Sequence, residues 1–334
     1  MARDRGASSI SRRNFCWTLA GALVAPGIAI AQASKVRRIG VLDPDWDDPV
    51  WRRRQAEPLE KLGWVEGQNL HVEYRFANGR REALQPLAEE LVRAKVEIIV
   101  TAGTPATLAA KRATTTIPIL FGVAGDPVLL GLVASLARPG GNVTGFSEVD
   151  SEVTAKYLSV LKEMVPRVQR IGVLWDSRNP YSRAIRGQFE HVCASLGLVP
   201  IMVEIGAADE AAGVVAQLVQ QRAQALLIKT SSGVWDEDKQ LQAVGVATKH
   251  SLPTLSDEPE IARHGALIAY GARWAEWARR RAEYIDRILR GAKPADLPVQ
   301  QPTQFELVIN LKTAKALGIM VPQSLLVRAD EVIR

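Results

Sequence analysis

Five short loops, each following an apolar run, carry the side chains of this sequence best suited to gripping a small polar molecule. The first, Asp43-Pro44-Asp45-Trp46-Asp47-Asp48-Pro49, offers carboxylates to an amine or hydroxyl and, in Trp46, an indole for stacking. Asp48 before Pro49 reads equally well as a helix cap with proline in the first helical position. In the second, Ala102-Gly103-Thr104-Pro105-Ala106, Thr104 stands as an N-cap and Pro105 as the first helical residue. The free N–H groups of such a turn can hold a carboxylate. The third, Gly125-Asp126-Pro127, supplies Asp126 either as a ligand group or as the cap of a helix from Val128. The fourth is DSRNPYS, residues 176–182, in which Asn179, Tyr181 and Ser182 can hydrogen-bond; the fifth, Ser231-Ser232-Gly233, adds hydroxyls and backbone N–H groups. Tyr270, at the end of a later apolar run, can close the same site. Taken singly, each loop is as well explained as a turn or a cap. Their recurrence at equivalent points of two halves is the stronger signal.

The catalytic signatures are missing. No G-x-G-x-x-G follows a first strand, and G-x-x-x-x-G-K-[ST], G-x-S-x-G and H-E-x-x-H do not occur. Four histidines, His71, His191, His250 and His264, lie far apart, and two cysteines cannot make a disulfide framework or a four-cysteine zinc site. No cofactor and no metal is therefore expected.

The elements that must position these loops come in a repeated order. RIGVL at 38–42 recurs at 170–174, and from each glycine a Leu-Gly pair, an apolar run ending in Thr and an Ile/Leu-Pro dipeptide follow at similar distances. Four landmarks in one order predict two similar halves. Strands are predicted over 39–42, 70–76, 96–102, 119–123 and 143–146, and again over 171–175, 200–205, 225–229, 254–255 and 266–270. Helical spacing marks 50–62, 82–94, 105–113 and 128–136 in the first half, then 182–196, 209–221 and 237–249. Alternation of strand and helix predicts parallel sheets covered on both faces. In such sheets ligands sit beyond the carboxyl ends of the strands, where the five loops fall. Residues 273–290 read as a basic amphipathic helix with Trp274 and Trp277, packed on a lobe with its arginines solvated. An extended linker to 302 and a strand and helix over 305–319 predict that the tail crosses back between the halves.

A chain of 334 residues, 47% hydrophobic and 23% charged, fits a folded two-domain protein. Its net charge of +6 is concentrated at the start: residues 1–31 hold four arginines and one aspartate. The apolar stretch 15–31, rich in Ala and Gly, follows Ser11-Arg12-Arg13-Asn14-Phe15. This predicts an export signal over 1–33 of twin-arginine type, cleaved near Ala31 or Ala33, and a periplasmic location. Cleavage leaves a mild charge, so nucleic acid is not an expected partner.

GWVEGQNLHVEYRFANG (63–79), TAGTPATLAAK (101–111), IPILFGVAGDPVLLGLVASLARPGGNVTG (117–145) and the tail from Gly291 to Ile333 resemble the ABC transporter substrate-binding proteins related to tryptophan- and tyrosine-uptake binding proteins. The resemblance covers the chain after Lys35. It implies a type I periplasmic-binding-protein fold: two doubly wound parallel-sheet α/β lobes joined by a hinge with chain crossovers. It also implies a ligand held in the cleft, and closure that presents a surface to a membrane permease. The ligand contacts implied are those of the loops above, with Thr104, Pro105 and Ala106 matching best; the first loop carries Asp43, Asp45, Asp47 and Asp48 where the family often has Gly and Ser.

The expected organisation is lobe 1 from 34–147 plus about 273–303, and lobe 2 from 148–272 plus about 304–334. The expected function is capture of a small amino-acid-like or carboxylate ligand by an exported, monomeric component of an ABC importer, with Asp43, Trp46, Thr104, Pro105, Ala106, Asp126, Asn179, Tyr181, Ser182, Ser231, Ser232 and Tyr270 at the ligand. No residue then needs to be a nucleophile or base. The alternatives are a sensor that presents its ligand to a membrane receptor and, far behind, a cleft enzyme acting on a small carboxylic acid.

Overall fold

The computed structural model describes residues 36–148, 151–206, 208–229 and 234–334. The export signal expected over 1–33 and the serines Ser231 and Ser232 lie outside the described residues. The first lobe runs β1 Arg37–Asp43, α1 Pro49–Lys61, β2 Leu70–Phe76, α2 Leu84–Arg93, β3 Ile98–Ala102, α3 Gly103–Ala113, β4 Ile119–Ala124 and β5 Val143–Ser147. Its sheet has the order β2-β1-β3-β4-β5, every neighbour parallel. The second lobe continues with α4 Ser151–Met164, β6 Arg170–Trp175, α5 Pro180–Ser195, β7 Val199–Glu204, α6 Ala211–Gln220, β8 Ala225–Ile228, α7 Glu237–Lys249, β9 Thr254–Ser256, α8 Pro259–Arg263 and β10 Ile268–Ala272. After α9 Trp274–Leu289 come β11 Phe305–Asn310, α10 Leu311–Ala316, α11 Gln323–Arg328 and β12 Glu331–Ile333.

The second sheet has the order β7-β6-β8-β9-β10-β11-β12. Its first five positions repeat the order of the first sheet, so the duplication read in the sequence is a duplication of fold. The addition is β11, which pairs antiparallel to β10 and carries β12 parallel beside it. Two doubly wound α/β lobes follow.

The glycine in each RIGVL echo has a packing reason. A Cβ on Gly40 would lie 2.8 Å from Cδ2 of Leu91 on α2, and one on Gly172 would lie 2.9 Å from Cδ2 of Leu218 on α6. Both leucines are fully buried. Each first strand thus lacks a side chain where a helix leucine must seat, which brings helix and sheet close together.

The chain passes from β5 into α4, whose Tyr157, Leu158 and Leu161 belong to the second lobe's core. It returns through α9, whose Trp277, Tyr284 and Ile285 pack with Ile39, Val41 and Phe146 of the first lobe. Phe146 lies 5.8 Å from the Trp277 ring and 5.3 Å from that of Tyr284. The basic face of α9 is laced by ion pairs along its own length, Arg280 with Glu276 at 2.7 Å and Arg290 with Asp286 at 2.6 Å. The chain then runs beside β5, where Gln300 N–H donates to Gly145 O at 2.9 Å and Ser147 N–H to Gln300 O at 2.8 Å, before entering β11. Among the described residues no helix is long and apolar enough to cross a membrane.

One expected helix does not form. Residues 128–136 make turns, not a helix: Leu130 N–H bonds Asp126 O at 3.1 Å and Leu132 N–H bonds Pro127 O at 2.8 Å, but Gly131 then adopts a left-handed φ of 64°. The apolar spacing there is real, since Leu132 and Val133 are buried, but it serves a coiled segment that covers the sheet.

Gly172→Val should cost about 1–3 kcal/mol in urea unfolding, because the added atoms meet Leu218. Combining it with Leu218→Ala should cost less than the sum of the two single changes, the sign of coupling expected for residues in direct contact.

Candidate functional site

All the parallel strands of a lobe point their carboxyl ends at one edge, and the two lobes meet along those edges. Asp43 ends β1 on the same face as Ile39 and Val41. It is 3% exposed and lines a cavity of about 50 Å³ between the sheet, α1 and α9, together with Trp51, Gln55, Trp64 and Arg281. Its Oδ1 accepts the Asp45 N–H at 2.9 Å. Burial pushes the Asp43 carboxyl up to about 6, against the opposing pull of that bond and of the Arg281 guanidinium. The same burial brings Arg281 down to about 10. Asp43 therefore faces the crossover helix rather than the opposite lobe.

The loop after β1 is tied to the turn after β2: Ala77 N–H donates to Asp43 O at 2.8 Å, Asn78 N–H to Asp45 O at 3.1 Å and Gly79 N–H to Pro44 O at 2.9 Å. Asn78 and Gly79 take left-handed φ values of 51° and 73°, a reversal that Asn-Gly accepts readily. The reversal carries Arg81 to the inter-lobe face. Trp46 sits half-buried in the same loop, and Asp48 caps α1 through the Val50 N–H at 2.8 Å with Pro49 in the first turn, as the sequence indicated.

Thr104 differs from its expected role as a cap. The helix begins one residue earlier, at Gly103, with Ala102 at the cap position and no side-chain cap bond. The left-handed φ of Gly103, 70°, starts the helix and leaves Thr104 inside its first turn. Its buried hydroxyl instead accepts the Gly125 N–H at 3.2 Å, linking the loops after β3 and β4. Ala106 is buried beneath it and Pro105 half-buried beside it. Asp126 is exposed, and its Oδ1 accepts the N–H groups of Val128 and Leu129, each at 2.9 Å. It caps a turn where a helix was expected.

From the second lobe, Asn179 caps α5 through the Tyr181 N–H at 3.0 Å, and Pro180 occupies the first turn. That start fixes Tyr181, whose ring rests on Gly125 of the first lobe: a Cβ there would lie 2.1 Å from the ring's Cγ. Only glycine fits beneath it. Ser182 follows, half-buried. Nearby, Arg81 of the first lobe forms an ion pair with Asp176, the residue after β6. Tyr270 stands apart, its ring stacked on Phe305 with centroids 5.7 Å apart and its phenol pushed up by burial and by Asp330.

The structure thus brings Thr104, Gly125, Asp126 and Tyr181 to one place, turns Asp43 toward α9 and sets Tyr270 against β11. Arg81 and Asp176 were not singled out by sequence reasoning. Asp176 had a signal, being the counterpart of Asp43 in the duplication; Arg81 had none beyond following an Asn-Gly turn. Among the described residues no cluster of His, Cys, Asp and Glu could hold a metal ion.

The family model described as ABC transporter substrate binding protein matches residues 54–333. A tyrosine-binding protein of Clostridioides difficile is 27% identical over 261 residues, covering 78% of this chain and 74% of that protein. Among solved structures, a conserved domain protein of Vibrio cholerae superposes with a TM-score of 0.80 at 24% identity, over 89% of this chain and 100% of the other. An ABC domain from Streptococcus pneumonia in complex with L-Trp gives 0.77, also at 24% identity, over 89% of this chain and 99% of that one.

Asp43 sets a pH dependence. Its carboxyl binds a proton more tightly folded, near 6, than unfolded, near the ordinary aspartate value of 3.8, so its contribution to stability grows as pH falls through that window and is lost as pH rises through it. Between pH 7 and pH 4 the wild type should gain on Asp43→Asn by on the order of 2–3 kcal/mol, read from thermal unfolding of both proteins across that range. Parallel curves would show that Asp43 titrates as an ordinary carboxyl.

Proposed function

Because the chain belongs to the family of ABC transporter substrate-binding proteins, we propose that it is the exported solute-binding component of an ABC importer, closing two lobes over a small amino-acid-like or carboxylate ligand. The observation that carries this reading is the meeting of strand-end loops from both lobes, where Tyr181 of one rests on Gly125 of the other. A ligand entering there touches both lobes at once, and its binding energy can drive closure. The tyrosine-binding relative and the L-Trp complex support an amino acid as the first class to try.

In this reading the ligand contacts come from Trp46, Thr104, Pro105, Ala106 and Asp126 on the first lobe and from Asn179, Tyr181, Ser182, Ser231 and Ser232 on the second. Asp43 and Tyr270 act from beneath, one steadying α9 and the other the edge of β10. The first lobe comprises 34–147 with about 273–303, the second 148–272 with about 304–334, and the hinge lies where the chain passes between them. The mechanism is binding alone, so the protein has no catalytic residue and no cofactor. Residues 1–33 direct a monomer to the periplasm, and the partner of the closed form is the membrane permease.

A thermal-shift screen against amino acids, aromatic acids, small carboxylates, purines and sugars tests this. A ligand at a hundred times its dissociation constant stabilises by about 2.7 kcal/mol, a rise of several degrees for a chain of this size. L-Tryptophan or L-tyrosine should give such a rise, and Thr104→Ala or Asp126→Ala should reduce the rise measured from each variant's own ligand-free melting point. No shift with any amino acid or carboxylate would overturn the ligand class.

A further inference from the structure

The duplication places an aspartate at the end of each first strand, and the two have been given different partners. Asp43 turns inward to Arg281 on the crossover helix. Asp176 accepts the N–H of Arg178 in its own turn at 3.2 Å, much as Asp43 does with Asp45, but its carboxylate also meets a guanidinium from the other lobe. That guanidinium belongs to Arg81, whose side chain is 15% exposed while that of Asp176 is fully buried. Both ends of the pair are held by short stiff turns. Arg81 follows the left-handed Asn78-Gly79 reversal, and Asp176 follows β6 directly.

We propose that Arg81 and Asp176 are positioning residues that latch the lobes in the closed arrangement and so set how long a captured ligand is held. The proposal rests on the hinge-closure reading given above. An ion pair that spans the lobes exists only when they are together, so its free energy counts wholly toward closure. A cation of the second lobe stays with Asp176 on opening: the Arg178 Nε is 3.6 Å from Asp176 Oδ1 and its side chain is 59% exposed. Parting the lobes therefore leaves Asp176 beside Arg178 and open to water, and lets water reach the Arg81 guanidinium. A latch so built is reversible, because opening strands no charge in an apolar interior. The aromatic contact beside it, Tyr181 on Gly125, gives closure its register, while the ion pair adds attraction that acts before contact.

The first test needs no ligand. The radius of gyration of the purified, ligand-free protein is measured by small-angle X-ray scattering for the wild type, Asp176→Asn, Arg81→Gln, Arg81→Lys and the swapped pair Arg81→Asp with Asp176→Arg. The two neutralising variants should be more open than wild type, and Arg81→Lys and the swap should return toward it. Arg81→Gln decides the matter should Asp176→Asn fail to fold, since the Arg81 side chain keeps 15% exposure where that of Asp176 has none. The second test follows L-tryptophan dissociation by stopped flow. Loss of the pair should speed release about tenfold with little change in the association rate, equivalent to 1.4 kcal/mol of closure. Equal radii for wild type and both neutralised variants would overturn the latch whatever the protein binds. A latch visible by scattering together with no response to any small molecule would leave the pair standing and overturn the capture reading instead.

Discussion

A parallel strand cannot be followed by a tight hairpin. The chain must cross over through a helix before the next strand can begin, and every carboxyl end in the sheet then falls on one edge. This constraint organises the whole molecule. Within each lobe it gathers the loops after β1, β3 and β4, or after β6, into one rim. Between the lobes it leaves a place where the rims oppose each other, and there Thr104, Gly125 and Tyr181 come within reach although 77 positions separate the outer two. The core packing serves the same end. Gly40 and Gly172 let α2 and α6 lie close on their sheets, so the rims are held by rigid elements.

The central strands were legible because both faces of each sheet are covered there, which makes strands such as β3 and β8 continuous apolar runs; the edge strand β2, LHVEYRF, alternates instead and was located to the residue. The helix over 237–249 was equally clear, with Asp236 as its cap. Periodicity failed where apolar residues serve a different shape. Residues 128–136 show helical spacing, yet Gly131 and the Pro139-Gly140-Gly141 stretch favour turns that cover the sheet. The helix over 151–164 is not among the expected elements, although Tyr157, Leu158 and Leu161 recur at helical spacing, because α4 lies between the two repeated units and, among the described residues, has no counterpart before the first echo.

The site was legible only in outline. Loops at strand ends could be found from alternation alone, but the direction in which a side chain points depends on parity along the strand and on what packs beside it. Asp43 shares its face with Ile39 and Val41 and so belongs to α9, whereas Asp176, one residue past its strand, reaches the other lobe. A single added residue in the second echo, Trp175, makes that difference. Arg81 was unreadable because its role depends on a residue 95 positions away.

The way the tail is distributed bears on how the protein is made. The first lobe lacks one cover of its sheet until α9 has been synthesised, and the second lobe's sheet lacks its last two strands until residue 333. Neither lobe can finish while the other is still unmade. A cut between the halves parts the first sheet from α9, whose Trp277, Tyr284 and Ile285 pack on it. Completion of both lobes therefore waits on one stretch of chain, residues 274–333, which covers the first sheet and then extends the second.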